Sequence, residues 1–169
     1  FNTPIYKSFN GEKQMRRTVK QFADLTLDEC GTHINVFRDD MTLADMENIR
    51  EHGHKIFDPL VRILESDPES CKRVFGRCLN TYAGAESDYR SHYSWISLRN
   101  LDRIEFRLCK FVSASQYFWL ANMVAEITAT VIDWSRKGRY EIAAGKIVKI
   151  FQKYRDGKAL CQRPERNSK

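Results

Sequence analysis

Long apolar runs and strand-like alternation are both missing from this sequence of 169 residues. The most apolar stretch, residues 117–134, is interrupted by Asn122, Glu126 and Asp133. No segment therefore provides the roughly 18 uncharged apolar residues that a membrane-spanning helix needs. No segment alternates apolar and polar side chains strongly, as a half-buried strand does. The first absence excludes a transmembrane helix, and the second predicts an all-α protein.

The sequence also lacks the motifs that accompany common enzyme chemistry. It contains no phosphate-binding loop G-x-x-x-x-G-K-[ST], no dinucleotide-binding G-x-G-x-x-G, no nucleophile elbow G-x-S-x-G and no zinc-protease H-E-x-x-H. These absences argue against nucleotide-binding enzymes and against the known hydrolase folds. We therefore predict a protein that is not an enzyme and that binds no cofactor.

Five cysteines form an odd set without the close spacing of a small secreted disulfide scaffold. Reduced thiols are expected, and with them an intracellular location. Cys30 and His33, together with Cys71 and Cys78, include the residue types that a tetrahedral zinc site uses. Because Cys71 and Cys78 share a predicted helix face with apolar side chains, where small thiols fill core space, we predict no metal site.

Helix start and stop signals recur along the chain, with apolar residues three and four positions apart. Capping-box pairs such as Thr42 with Asp45, and the Asp-Pro pairs at 58–59 and 67–68, mark helix starts or kinks. Helical spacing predicts helices near residues 12–24, 27–37, 43–49, 71–82, 87–96, 101–112, 114–137 and 139–154. Three glycines are predicted to end helices: Gly84, Gly138 and Gly157.

The predicted architecture is a compact, all-α bundle of six to eight helices with a long central helix near residues 114–137. No convincing internal repeat or low-complexity linker divides the chain. Residues 1–157 are therefore predicted to form a single helical domain, and residues 158–169 a basic, solvated tail. The chain begins with Phe1 rather than Met, as expected of an excised domain or a processed form.

Positive charge is concentrated near the C-terminal end. Residues 136–169 contain eleven Lys or Arg and three acidic residues, a net charge of +8, whereas residues 1–135 carry −2. Four cations share one face of the last predicted helix: Arg139, Lys146, Lys149 and Lys153. Three further cations flank that face: Arg136, Lys137 and Arg155. Such a basic stripe provides salt-dependent contact with nucleic acid or an anionic membrane surface, or it merely solvates a terminal helix.

A polar face runs along the predicted central helix, opposite its apolar face. It consists of Asn122, Glu126, Thr130 and Asp133, at spacings of four, four and three residues. Three interpretations are open. Glu126 and Asp133 form a carboxylate pair for acid–base chemistry, the four residues line a groove for a basic partner, or the face is an ordinary exposed one.

Residues 25–37 and 54–75 resemble the opening helices of a globin, with an apolar-Pro-apolar pattern near the corner that follows the second helix. The resemblance implies a helical ligand carrier. It does not extend further, because no His follows His92 where a globin's proximal haem ligand would fall. What it implies for this chain is therefore a haemless relative.

Taken together, these patterns favour a non-enzymatic helical protein-interaction or regulatory module, with a basic C-terminal helix able to contact an anionic partner. A protein partner is expected. The alternatives are a structural domain that binds nucleic acid or an anionic membrane surface, and a globin-like or other helical ligand carrier.

Overall fold

The structure, a computed structural model, describes residues 31–86, 88–110 and 114–161, together with Arg17 within a helix. In the last two helices the described side chains are those of residues 116–157. The helices within these ranges are α1 (Leu43–Glu51), α2 (Gly53–Ser66), α3 (Pro68–Phe75), α4 (Ala114–Ser135) and α5 (Tyr140–Cys161). The strands are β1 (Ile34–Val36), β2 (Ile96–Ser97) and β3 (Ile104–Phe106). The protein is therefore α+β, and the prediction of an all-α bundle of six to eight helices is wrong.

The three strands form one antiparallel sheet in the order β1-β3-β2. Phe106 of β3 lies opposite both Ile34 of β1 and Ile96 of β2, and all three side chains are buried. The sequence predicted helices over these segments because a strand of two or three residues is too short to display period-two alternation. Their β-branched and aromatic residues pack well on a pleated surface, so tertiary pairing overrides the local pattern.

The predicted helix starts at Thr42 and Asp67 are confirmed, whereas no helix begins at Asp58-Pro59, where a kink or a start was predicted. The Thr42 hydroxyl accepts a hydrogen bond from the backbone N–H of Asp45 at the start of α1, and the Asp45 carboxylate accepts one from the backbone N–H of Thr42. Asp67 caps α3 by accepting from the Ser70 N–H at 3.0 Å. Pro59, by contrast, lies inside α2, which begins earlier, at Gly53.

A glycine follows the end of two helices, and one of these two glycines is at a predicted position. α3 ends before Gly76, whose φ of 84° lies in the left-handed region that favours glycine, and not before Gly84. Gly138 has a φ of 63° in the turn between α4 and α5, as predicted. Gly157 does not end α5, which continues to Cys161; an interior glycine costs only about 1 kcal/mol of helix stability. α5 thus extends into the predicted tail, of which residues 162–169 lie outside the described residues.

The core is centred on five fully buried aromatic side chains: Phe57, Phe75, Trp95, Phe106 and Phe151. Phe75 and Phe151 stack at 6.1 Å between ring centroids, and Trp95 meets Phe57, Phe75 and Phe106 edge to face. These contacts connect α2, α3 and α5 with the sheet. The sheet is therefore part of the same core as the helices.

The long helix predicted at 114–137 is confirmed as α4, which ends at Ser135. α4 and α5 pack against each other, joined by the short turn at Gly138, so they form an antiparallel helical hairpin. The helix predicted at 12–24, apart from Arg17, and residues 27–30 of the next predicted helix lie outside the described residues. Within the described part of the chain, no helix has the length and apolar character to cross a membrane.

Candidate functional site

An open groove of about 410 Å³ lies between α4 and α5. We call it the α4–α5 groove. Its lining comprises Glu126, Thr130, Lys146, Lys149, Ile150 and Lys153. It brings half of the predicted polar face of α4 next to three of the four cations in the predicted basic stripe of α5.

The groove follows from the amphipathic pattern of the two helices. Ile127 and Val131 of α4 are buried, as are Ile147 and Phe151 of α5, and these side chains belong to the shared core. Because residues three and four positions apart share a helix face, the polar residues beside each apolar face lie at its border. When the apolar faces pack together, the two polar borders meet and form the groove.

Lys153 and Glu126 form an ion pair across the groove. The Lys153 Nζ donates to the two carboxylate oxygens of Glu126 at 3.1 and 3.0 Å, and hydrogen bonding to this carboxylate raises the pKa of Lys153. The pair is exposed, so it contributes little stability. Its effect on the site is to neutralise one cation of the stripe and Glu126, the one carboxylate among the described lining residues.

Lys146 and Lys149 remain in the groove without a carboxylate partner among the described residues. Lys146 places its Nζ 5.0 Å from the centroid of the Trp134 ring, and Lys137 approaches the same ring at 4.8 Å. Arg139 is exposed at the start of α5, and it too lacks a carboxylate partner in the described ranges. These four cations therefore carry the positive charge along this edge that no described carboxylate neutralises.

Other members of the predicted stripe pair with acids of the same chain. Arg155 donates to its neighbour Asp156 at 2.8 Å. Arg136 donates to both carboxylate oxygens of Asp45, at 2.9 and 2.7 Å, and to Asp40 at 2.8 Å. Arg136 therefore attaches the end of α4 to the start of α1, away from the groove lining.

The predicted polar face of α4 is also only partly in the groove. Asp133 accepts a hydrogen bond from Arg38 at 2.6 Å, and Arg38 also pairs with Asp40. Asn122 is exposed and lies outside the groove lining. Only Glu126 and Thr130 of the four predicted groove residues line the groove. The Arg38, Asp40, Asp45, Asp133 and Arg136 ion-pair network was missed by the sequence analysis, although the acidic residues around the start of α1 were a visible signal.

The ion-pair network predicts a pH-dependent contribution to stability. Hydrogen bonds from Arg38 and Arg136 lower the pKa of Asp40, and hydrogen bonding from Arg136 lowers the pKa of Asp45, in both cases from the usual aspartate value of 3.8. A carboxylate whose pKa is lower in the folded state stabilises the fold above its unfolded pKa. This stabilisation is lost as the pH falls through the folded pKa.

We expect Arg136→Gln to lower the free energy of unfolding most near neutral pH, with the difference from the parent protein shrinking below about pH 4. Urea denaturation of the two proteins at a series of pH values measures this difference. Arg99→Gln, which removes an exposed cation outside the network, serves as the control. A difference that grows on acidification would contradict the role of the network.

Three of the side chains considered as zinc ligands, Cys71, Cys78 and His33, have other partners. The Cys71 thiol donates to the carbonyl of Arg77 and the Cys78 thiol to that of Pro68, each at 3.4 Å. Burial raises the pKa of Cys71 to about 12, which opposes the thiolate form that binds a metal. His33 bonds the Glu105 carboxylate at 2.8 Å. Across the described residues, no group of three or more His, Cys, Asp or Glu is placed to hold a metal ion; Cys30 lies outside them.

A chain of polar contacts on the sheet also went unpredicted. Glu105 of β3 accepts from His33, ahead of β1, and from the buried guanidinium of Arg107 at 2.9 Å. Hydrogen bonding to His33 is the main reason why the pKa of Glu105 is lowered. Arg107 also lies 3.4 Å from the Nε2 atom of His92. Because the contacts depend on strand register, no sequence spacing indicated them.

Comparison of the chain with models of protein families, with curated proteins and with solved structures finds no match.

Proposed function

We propose that this protein is an interaction module that binds an acidic segment of a partner protein along the α4–α5 groove. The observation that carries the proposal is the placement of Lys146 and Lys149 in the groove without a carboxylate partner among the described residues. Carboxylates of a partner would supply the missing counter-charges. Charge complementarity of this kind accelerates association and selects partners by sign.

The remaining side chains of this surface favour a peptide over a phosphate backbone. Ile150 and Thr130 line the groove beside the lysines. Ile142, four residues before Lys146 and on the same face of α5, is 40% exposed. Apolar contacts of this kind suit a segment that combines Asp or Glu with Leu, Ile or Phe. A nucleic-acid backbone carries a phosphate at every step and offers no apolar side chain to Ile142 or Ile150.

The cysteines support an intracellular setting for this interaction. Cys71, Cys78 and Cys109 carry free thiols, and burial raises the pKa of Cys71 and of Cys109 to about 12. Free thiols are the usual state of cysteine in intracellular compartments, and the two buried ones pack as small apolar groups. We therefore place the interaction of this free-thiol form with its partner in a reducing compartment.

The test uses labelled synthetic peptides that alternate Glu with Leu or Phe, and fluorescence anisotropy as the measurement. Lys146→Glu with Lys149→Glu is expected to weaken binding by about tenfold or more, because it replaces two attractive exposed pairs by two repulsive ones, each worth up to about 1 kcal/mol. Binding by the parent protein should also weaken as salt is added.

The matched control is Arg90→Glu with Arg99→Glu, which makes the same change in net charge at exposed positions outside the groove. This variant should retain most of the peptide affinity. A single-stranded oligonucleotide and vesicles that contain phosphatidylserine complete the panel. Tighter binding of either one than of the acidic peptides, lost in the groove variant, would replace the proposal by the corresponding anionic partner. Equal losses in both double variants would leave only a net-charge effect and contradict a site in the groove.

A further inference from the structure

A second recess, of about 510 Å³, lies at the C-terminal end of α3. Its charged lining consists of Lys72 from α3, Arg77 from the loop that follows, and Lys110 from the segment after β3. Gly76, Cys78, Leu79 and Asn80 complete it. We call it the basic recess. Its volume lies within the range of about 300–1,000 Å³ that is typical of small-molecule sites.

The basic recess collects positive charge without an internal counter-charge. No described carboxylate belongs to its lining, and none of its three cations has a carboxylate partner in the described ranges. Elsewhere on the described surface, Arg38, Arg136 and Lys153 all pair with acids of the chain. Three cations from separate segments, each without a described carboxylate partner, repel each other, so an anion that enters the recess lowers their electrostatic energy.

Helix α3 itself does not account for these cations. Cations are common at helix C-termini because the last carbonyls carry partial negative charge. Here the carbonyl of Lys72 accepts from the N–H of Gly76, and that of Phe75 accepts from the N–H of Lys110 at 2.7 Å. The Arg77 carbonyl accepts from the Cys71 thiol. Each of these carbonyls thus already accepts one hydrogen bond, and no hydrogen bond from the side chains of the three cations reaches them in the described part of the chain.

The walls of the basic recess are held in place by hydrogen bonds. The Cys78 thiol donates to the Pro68 carbonyl, and the Asn80 side-chain oxygen accepts from the N–H groups of Tyr82 and Ala83 at 2.8 and 3.1 Å. The Lys110 N–H fixes the third segment on α3, as described above. A preformed arrangement of donors reduces the ordering cost of binding a small anion.

We propose that the basic recess binds the phosphate group of a small phosphorylated molecule. Lysine and arginine side chains form short, charge-assisted hydrogen bonds with phosphate oxygens, and a guanidinium can bind two oxygens at once. Three cations match the charge of a phosphate monoester dianion better than that of a single carboxylate. The cavity leaves space beside the phosphate for a small organic group, with Leu79 as an apolar wall.

The test is an NMR titration of the full chain with inorganic phosphate and with glycerol phosphate, each at constant ionic strength. Backbone amides at residues 76–80 and 110 are expected to shift and to saturate, and glycerol phosphate to bind at least as tightly. Lys72→Gln with Lys110→Gln should weaken this binding about tenfold or more. Both lysines reach solvent, and the amide spectrum verifies that the variant folds.

Lys146→Gln with Lys149→Gln is the matched control, because it removes the same charge from the α4–α5 groove and leaves the basic recess intact. Phosphate binding should persist in this variant. Shifts that chloride reproduces at equal concentration, or that survive in the Lys72→Gln and Lys110→Gln variant, would overturn the proposal and identify general screening or another site. Because peptide binding depends on the other pair of lysines, failure of either proposal is distinguishable from failure of the other.

Discussion

Phe75→Ala is expected to lower the free energy of unfolding by about 3–5 kcal/mol, the range measured when a buried aromatic side chain is truncated in a core. Phe75 is fully buried, stacks on Phe151 of α5 and meets Trp95 at 6.3 Å. Its removal opens a cavity where three parts of the chain meet. Domains are stable by only about 5–15 kcal/mol, so this loss is a large share of the total.

Urea denaturation followed by tryptophan fluorescence measures the change. Tyr82→Ala is the control, because this aromatic residue lies a few positions further along the chain and is 68% exposed. Its truncation should change the free energy of unfolding by less than about 0.5 kcal/mol. If the two variants lost similar amounts of stability, Phe75 would not occupy the central position that the fold gives it.

Gly53→Ala is expected to destabilise the protein by about 1–3 kcal/mol, although alanine normally stabilises a helix relative to glycine. Gly53 begins α2 and is buried. A Cβ atom there would lie 2.6 Å from Cδ2 of the Tyr89 ring. That ring cannot move away easily, because its hydroxyl donates to Asp58 at 2.7 Å and its face packs near Phe57.

Gly145→Ala provides the matched comparison and an expected result of opposite sign. Gly145 is an interior, exposed residue of α5, and no atom lies within 4 Å of the position of its added Cβ. Alanine there should stabilise the protein by about 0.5–1 kcal/mol. Thermal and chemical denaturation of both variants measure the two shifts. A stabilised Gly53→Ala protein would contradict the close packing of α2 on Tyr89.

Local signals explain which elements were predictable. The capping pair Thr42 with Asp45, the Asp67-Pro68 start and the turn at Gly138 all depend on contacts within a few residues, and all three are confirmed. The long apolar pattern of α4 belongs to the same class. The strands β2 and β3 do not, because their stability comes from pairing and burial, which involve residues distant in the chain.

The candidate site divides in a similar way. Sequence spacing placed Lys146, Lys149 and Lys153 on one face of the last helix, and the structure brings them together in the α4–α5 groove. The sequence spacing did not indicate which of the cations are neutralised by carboxylates. Lys153 pairs with a residue 27 positions away and Arg136 with one 96 positions away. Neither pairing has a local pattern.

Sequence alone determined the helix-rich character, the two long C-terminal helices and the concentration of positive charge on the last one, because periodicity, caps and charge are properties of neighbouring residues. Only the tertiary structure decided that three short strands join the core and that α5 continues through Gly157. It also decided that Arg136 pairs with acids whereas Lys146 and Lys149 have no carboxylate partner among the residues that the structure describes. Those outcomes depend on the contacts made when distant segments pack, and packing energies there outweigh local preference.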